Sequence, residues 1–559
     1  MARTTVHRHA DTLELMPQNS PPVVAKPKPS APRVHRDFRL PVLLRRYSQR
    51  RQLWWSALAL GMIVFRVALL PLLPVPEPVI HDEFSYLLSA DTFARGRVTN
   101  PTPPDPQFFE SPHVLVTPVY ASRYQPGQGL TLALGQKIAG HAYWGVVLSC
   151  ALMVYLFCWA ADAWLPPQWS LIAGGLAAVL FFIPSYWFTS YWGGAVAACG
   201  GALVVGSLGY FLRGRLESAR FSLAGGALIL YATRPYEGGV LFLAVLSILA
   251  IQFWKSGAQE KSRWLRTVIL PNVAILLVAV PLIGWYNAQV TGHPTDLAYF
   301  EYARTYDPVP VFWTLPPLPP KQTSNANLHA VHQQEIVDYQ RFHNGRLPLT
   351  LALVSINIFL NGVWLQFLAF GFLLIAVPWA RMRKRKKWLV LLLGAGVAAL
   401  LPEVWVNGHY TAPYTIVELI LIVAAARAVW YRIAASRARG LAFVSLLIVL
   451  LVPLAISYAG AIQAHPTERG RLVQKLRAEG GRHLVFVDYS ENWDPVHEWV
   501  YNGADLNASP VIFAHLLSPR ENQDLLNHFP GRKAWLVRLG PQLTDVRLEH
   551  YEPPLAGAF

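Results

Sequence analysis

The sequence predicts a mostly α-helical polytopic membrane protein of about eleven transmembrane helices, with a small α/β unit at its C-terminal end. Three features predict it. The chain is 53% hydrophobic and only 14% charged. Its apolar residues gather in blocks of spanning length. Its basic residues collect on alternate connections between those blocks.

In chain order, residues 1–50 are polar, basic and Pro-rich, and read as a disordered cytoplasmic tail without a cleavable signal. Apolar windows then fall at 54–73, 143–164, 169–189, 192–212, 221–233, 236–254, 267–286, 351–379, 388–406, 412–431 and 441–460. The window 221–233 is short and runs straight into Arg234-Pro235. With the N-terminus inside and the helices alternating, the inside segments (1–53, 213–220, 255–266, 381–387, 432–440) hold 27 Lys/Arg against 5 Asp/Glu. The outside segments (74–128, 291–350, 461–559) hold 17 against 23. Such a bias orients the chain. It also removes nucleic acid as the meaning of the +16 net charge, because the basic residues lie beside lipid. "RMRKRKK" at 381–387 is a cytoplasmic anchor. Cys150, Cys158 and Cys199 fall singly inside spans and frame neither a disulfide nor a metal site.

Most connections are short, but the outer segments 74–128 and 291–350 have 55 and 60 residues, and 99 follow the last span. Long connections carry function more often than short ones, so the working face is outside. The transmembrane unit is 51–460 and the C-terminal unit 461–559. In the latter, 483–489, 497–502, 510–515 and 534–539 read as strands. Residues 518–529 read as a helix capped by Ser518, with Pro519 at its first position. It has no Gly-rich phosphate loop and no nucleophile elbow, which suits a lid or an interaction unit.

The chemistry-bearing residues begin with "HDEFSYLLSADTFARGR" (81–97), which reads as an amphipathic surface helix opened by Asp82 and Glu83. Asp82 shares a face with Tyr86, and Glu83 points about 100° away. Acids at a helix N-terminus also serve as caps favoured by the dipole. "SRYQPGQGLTLALG" (122–135) follows, with Gly127 and Gly129 allowing a tight path back to the membrane. Cations near the outer ends are Arg66, Arg234, Arg123 and His409. An ionisable residue in a span is a functional candidate, although Arg234 could snorkel or pair with Glu237. His81, Asp82 and Glu83 are adjacent and cannot all converge on one ion, so a divalent metal stays open. In "SYWGGAVAACGGA" (190–202), small residues at 193, 197 and 201 suit helix packing. Asp91 and Glu418 receive no role.

An acidic dyad after the first span, two long outer loops and a C-terminal outer unit together resemble the GT-C membrane glycosyltransferases. "DEFSYLLSADTFARGRVTNP", "YQPGQGL", "SYWGGA" and "HYTAP" (409–413) resemble the bacterial relatives of protein O-mannosyltransferases and of the lipid A aminoarabinose transferase. The likeness covers about 50–460. It implies a bacterial inner-membrane enzyme with a cytoplasmic N-terminus and an extracytoplasmic C-terminal unit. It implies transfer of a sugar from a polyprenyl-phosphate donor to a lipid, glycan or protein acceptor, inverting the anomeric centre. Asp82 maps onto the family's catalytic base, with Glu83 as the alternative. Arg66, Arg234, Arg123, His409 and Tyr86 become candidate substrate contacts. The rival class is a transporter or flippase of a lipid-linked or small polar substrate. That would show internal repeats and charges near the midplane, and no repeat is evident.

Overall fold

A computed structural model describes residues 50–182, 185–319, 321, 325–361, 384–432, 467–491 and 493–552. The N-terminal tail and the span placed at 441–460 lie outside the described residues, as does most of 351–379 and the anchor 381–387 apart from its last residues.

Helices dominate. They are α1 (Arg51–Ala68), α2 (His81–Ala94), α3 (Pro126–Ala139), α4 (Tyr143–Asp162), α5 (Pro167–Phe181), α6 (Tyr186–Thr189), α7 (Ala195–Phe211), α8 (Ser222–Tyr231), α9 (Pro235–Lys255) and α10 (Ala258–Thr291). After them come α11 (Ala298–Thr305), α12 (Ala326–His343), α13 (Leu347–Asn361), α14 (Lys384–Leu400) and α15 (Thr415–Arg432). Among the described residues, α4, α9 and α10 are long and apolar enough to cross a membrane, with 20, 21 and 34 residues. The other described windows hold shorter helices. The window 169–189 divides into α5 and the one-turn α6. The window 192–212 starts its helix only at Ala195, because Gly193 and Gly194 take φ of 96° and 122°. The window 388–406 leaves the helix after Leu400, and 221–233 supplies only the 10 residues of α8.

Small residues set the packing. A Cβ on Gly201 of α7 would lie 2.0 Å from the Pro413 carbonyl oxygen, and one on Gly206 would lie 2.2 Å from the Trp159 ring. Of the small residues at 193, 197 and 201, Gly201 meets a neighbouring backbone closely, while Gly193 lies before the helix.

The C-terminal segment is α/β. It comprises α16 (Glu468–Glu479), a sheet and α17 (Pro519–His528). The sheet strands are β3 (His483–Tyr489), β4 (Val511–His515), β5 (Lys533–Leu539) and β6 (Val546–His550), in the order β4-β3-β5-β6. β3 pairs parallel to β4 and β5, and β6 closes antiparallel on β5. Ser518 caps α17, accepting from the Glu521 amide. The stretch 497–502, expected as a strand, is irregular. Its backbone is spent elsewhere: the Trp499 and Val500 amides donate to Glu498 Oε1, and the Trp499 and Tyr501 carbonyls accept from Arg469.

Between α2 and α3 a short hairpin, β1 (Val114–Leu115) with β2 (Ala121–Ser122), folds onto α2. Ser85 fixes it there, its hydroxyl donating to the His113 carbonyl at 2.7 Å and lying 2.7 Å from the Ser122 hydroxyl.

Candidate functional site

The two acids that open α2 have different surroundings. Glu83 sits three residues after Ile80, where a carboxylate can fold back on the free amides of a helix start. Its Oε2 accepts from the Val79 and Ile80 amides at 2.8 and 3.2 Å, and its Oε1 from the Tyr191 amide at 2.9 Å. Both oxygens are therefore held by backbone.

Asp82 is held by side chains instead. The Tyr124 hydroxyl donates to Oδ1, His81 Nδ1 lies 3.0 Å from Oδ2, and His113 Nε2 lies 3.9 Å from Oδ1. Burial by itself would raise this carboxyl. The adjoining His113 and His81 imidazoles and the Tyr124 hydroxyl outweigh burial and hold it well below the usual carboxylate range. Asp82 is thus a buried carboxylate ion at neutral pH. Burial, reinforced by the Asp82 charge, keeps the Tyr124 hydroxyl protonated and able to donate. Burial also pulls His113 well below the usual imidazole range, so its ring is neutral.

The orientation of His113 comes from Arg123. The guanidinium Nη1 lies 3.0 Å from His113 Nδ1, and the same guanidinium grips Asp307 through two bonds of 3.2 and 2.8 Å. Tyr299 and Tyr302 each face it at 4.2 Å. Arg123 has only hydrogens to offer, so His113 Nδ1 accepts and Nε2 carries the ring proton toward Asp82. His81, Asp82 and His113 have ligand atoms within 4.8 Å of one another. Yet a metal at His113 needs the Nε2 lone pair, and the Arg123 bond places a proton there. As arranged, the set fits the carboxylate and not a cation.

Tyr124 leads from Asp82 to a cavity. Its ring stacks on Tyr86 at 4.5 Å, and Tyr86 lines a narrow space of about 10 Å³ together with Gln125, Gln128, Trp192, Gly193, Gly194, Thr233, Arg234 and His409. Arg234 stands at the first turn of α9, over the Tyr410 ring at 4.1 Å and 3.5 Å from Glu237. His409 Nδ1 lies 2.9 Å from the Tyr186 hydroxyl, and its ring packs on Trp192 at 4.8 Å. Gln125 is buried with both amide atoms unpartnered among the described residues, and Gln128 has its Oε1 unpartnered. Two orphaned amide ends beside an Arg and a His make a wall that a polar ligand would complete.

The backbone needs its glycines here. A Cβ on Gly194 would meet the Trp187 ring at 2.4 Å, and one on Gly127 would meet the Ala232 carbonyl oxygen at 2.6 Å. Gly127 also donates its amide to that oxygen at 2.7 Å, tying α3 to the end of α8 beside Arg234.

The structure brings Asp82, Tyr86, Arg234 and His409 to one interior. Arg66 stays apart. Its guanidinium donates to the Tyr143 hydroxyl at 2.7 Å and to the Leu73 and Pro74 carbonyls at 2.9 and 3.0 Å. The proline-rich stretch after α1 leaves those carbonyls without amide partners, and Arg66 supplies them. Arg123 braces the segments 74–128 and 291–350 against each other through Asp307. Glu237 pairs with Arg234 as expected, while both Glu418 carboxyl oxygens lack a partner among the described residues. Sequence reasoning missed His113, Tyr124, Gln125, Gln128 and Trp192, although four of these lie inside the quoted motifs.

No family model matches this sequence, and no curated protein matches it. Among solved structures, the chain is similar to ArnT from Cupriavidus metallidurans bound to undecaprenyl phosphate. The TM-score is 0.48 and the identity 14%, over 87% of this chain and 92% of that one. The apo form of the same protein gives 0.48 and 15% over the same shares. The chain is also similar to the archaeal oligosaccharyltransferase AglB from Archaeoglobus fulgidus in complex with an inhibitory peptide and a dolichol-phosphate. Here the TM-score is 0.34 and the identity 10%, over 88% of this chain and 70% of that one.

Proposed function

We propose that the chain is a membrane glycosyltransferase that moves a sugar from a polyprenyl-phosphate donor to a lipid, glycan or protein acceptor on the extracytoplasmic side. The observation that supports it is a buried, ionised Asp82 joined through Tyr124 and Tyr86 to a cavity lined by Arg234 and His409. One carboxylate and a separate wall that carries the Arg234 guanidinium suit a single displacement. Glycosidases instead need two carboxylates across the bond.

In this reading the acceptor hydroxyl attacks the anomeric carbon as the bond to the phosphate oxygen breaks on the opposite face, inverting the centre. The hydroxyl proton passes to Asp82. A carboxylate this acidic takes the proton late, as the attacking oxygen bonds to carbon and becomes acidic itself. Tyr124 and His113 fix the direction of the Asp82 lone pairs. The departing phosphate takes the bonding electron pair, gains one negative charge and needs no acid. Arg234 meets that charge, and the Gln125 and Gln128 amides offer further polar contacts. Trp192 supplies an apolar face for the sugar.

The test is reconstitution of the full chain in proteoliposomes with a panel of polyprenyl-phosphate sugars and an acceptor extract. Product NMR then reads the anomeric configuration. Transfer with inversion supports the proposal. Retention contradicts the single displacement. Vesicle uptake of substrate without transfer from any donor means a transporter.

A further inference from the structure

We propose that Tyr501, in the C-terminal segment, is a positioning residue that sets the Asp82 carboxylate against the His113 imidazole. The segment carrying it would then be part of the reaction centre and not a lid over it. The inference rests on the reading of Asp82 as the base.

Tyr501 touches both walls of the Asp82 site. Its ring stacks on Phe84 of α2, with centroids 4.6 Å apart and planes 4° from parallel. Phe84 is two residues from Asp82. The Tyr501 hydroxyl donates to the Pro112 carbonyl at 3.0 Å, and Pro112 is the residue before His113. One side chain therefore ties the helix that carries the carboxylate to the loop that carries the imidazole.

The loop needs such a tie. His113 has φ of +66°, a left-handed conformation unfavourable for a residue with a Cβ. It persists only where its surroundings fix it. The Pro112 carbonyl is fixed by Tyr501 and the His113 carbonyl by Ser85. Ser111 donates to the Val500 carbonyl, next to Tyr501 in the chain. The His113 amide donates to the Tyr302 hydroxyl at 2.9 Å, so without the Tyr501 bond the 112–113 peptide would be held through its amide and not through its carbonyl.

Tyr501 is itself braced. Arg469 donates to its carbonyl at 2.8 Å and lies over the Phe84 ring at 4.7 Å. Glu77, just upstream of α2, accepts from the Thr467 amide at the N-terminus of α16 at 2.8 Å. Asp91, which had no role in the sequence reading, accepts from the Ala504 amide at 2.8 Å. The irregular course of 497–502 thus follows the Asp82 helix and does not join the sheet.

The experiment uses the full chain and Tyr501→Phe, which keeps the stack and deletes only the hydroxyl bond. Misplacing a reacting group by about 1 Å costs up to about 100-fold in rate. The expected result is a kcat lower by about tenfold with KM within twofold, and faster amide exchange at 111–116. Tyr501→Leu, which removes the stack as well, should lose more kcat than Tyr501→Phe. A Tyr501→Phe kcat within twofold of wild type overturns the proposal, as does an equal rise in KM. If the wild type transfers no sugar, the functional reading fails separately. Exchange at 111–116 then decides: no difference between wild type and Tyr501→Phe overturns the positioning role, and a local rise supports it.

Discussion

Replacing Glu83 with Ala should unfold the protein more readily without touching its chemistry, whereas Asp82→Asn should do the reverse. Glu83 accepts three backbone amides, from Val79, Ile80 and Tyr191. Leaving a buried donor unsatisfied costs about 1–3 kcal/mol. Water can reach the Val79 amide, because that residue is exposed, but not that of buried Tyr191. The total loss is therefore about 2–5 kcal/mol. Asp82→Asn keeps an oxygen for the Tyr124 hydroxyl and turns its NH₂ toward His81 Nδ1, so the expected cost is about 1 kcal/mol or less. The assay is urea unfolding of both purified variants in one detergent, followed by amide exchange at 79–84 and 190–194. Exchange should rise at both segments in Glu83→Ala, because Glu83 links them. The reasoning is refuted if Glu83→Ala is as stable as wild type, or if Asp82→Asn is the less stable of the two.

Arg234→Gln should raise the donor KM by about tenfold or more, since a cation–phosphate contact is lost while Tyr410 packing survives; an unchanged KM puts the phosphate elsewhere. Arg66→Met should lower stability by about 2–4 kcal/mol while activity per folded molecule holds, because its partners are Tyr143 and two carbonyls; lost activity in a stable variant would return Arg66 to the site. His332 lies on α12, within the segment 291–350, and burial pulls its imidazole down to about 4. The unfolded chain then binds the extra proton between about pH 4 and 6.5, so its share of stability is full above about 6.5 and falls as the pH drops through that window. His332→Phe should flatten the acid slope of unfolding there by an amount on the order of 2 kcal/mol, and an unchanged slope would mean the ring is not the group that titrates.

What was legible in the sequence was mostly local. Among the described residues the apolar windows mark where helices occur, because an apolar segment of spanning length satisfies its backbone within its own helix. Their ends were less legible: positive φ at Gly193 and Gly194 delays α7, and α5 stops at Phe181. The acidic pair stood out by its place after the first window. Its division came only from the family likeness, and the helix start that puts Glu83 three residues after Ile80 is read from the structure. Long-range partners were not legible. His113 reaches Asp82 only because Ser85 draws the hairpin onto α2, and no spacing encodes that contact. The motif "YQPGQGL" showed its glycines, but the orphaned Gln125 amide becomes informative only once Gly127 is docked on Ala232. In 497–502 the alternating apolar pattern implied a strand, and hydrogen bonds to Arg469 and Glu498 replaced the ladder.

The central claim is that Asp82 takes the acceptor proton. Sugar transfer by Asp82→Asn in proteoliposomes, with the fold checked by urea unfolding, tests it most directly. The account predicts that kcat falls by at least about 100-fold, with donor KM within about threefold and stability near wild type. Transfer at the wild-type rate by a folded Asp82→Asn protein contradicts it.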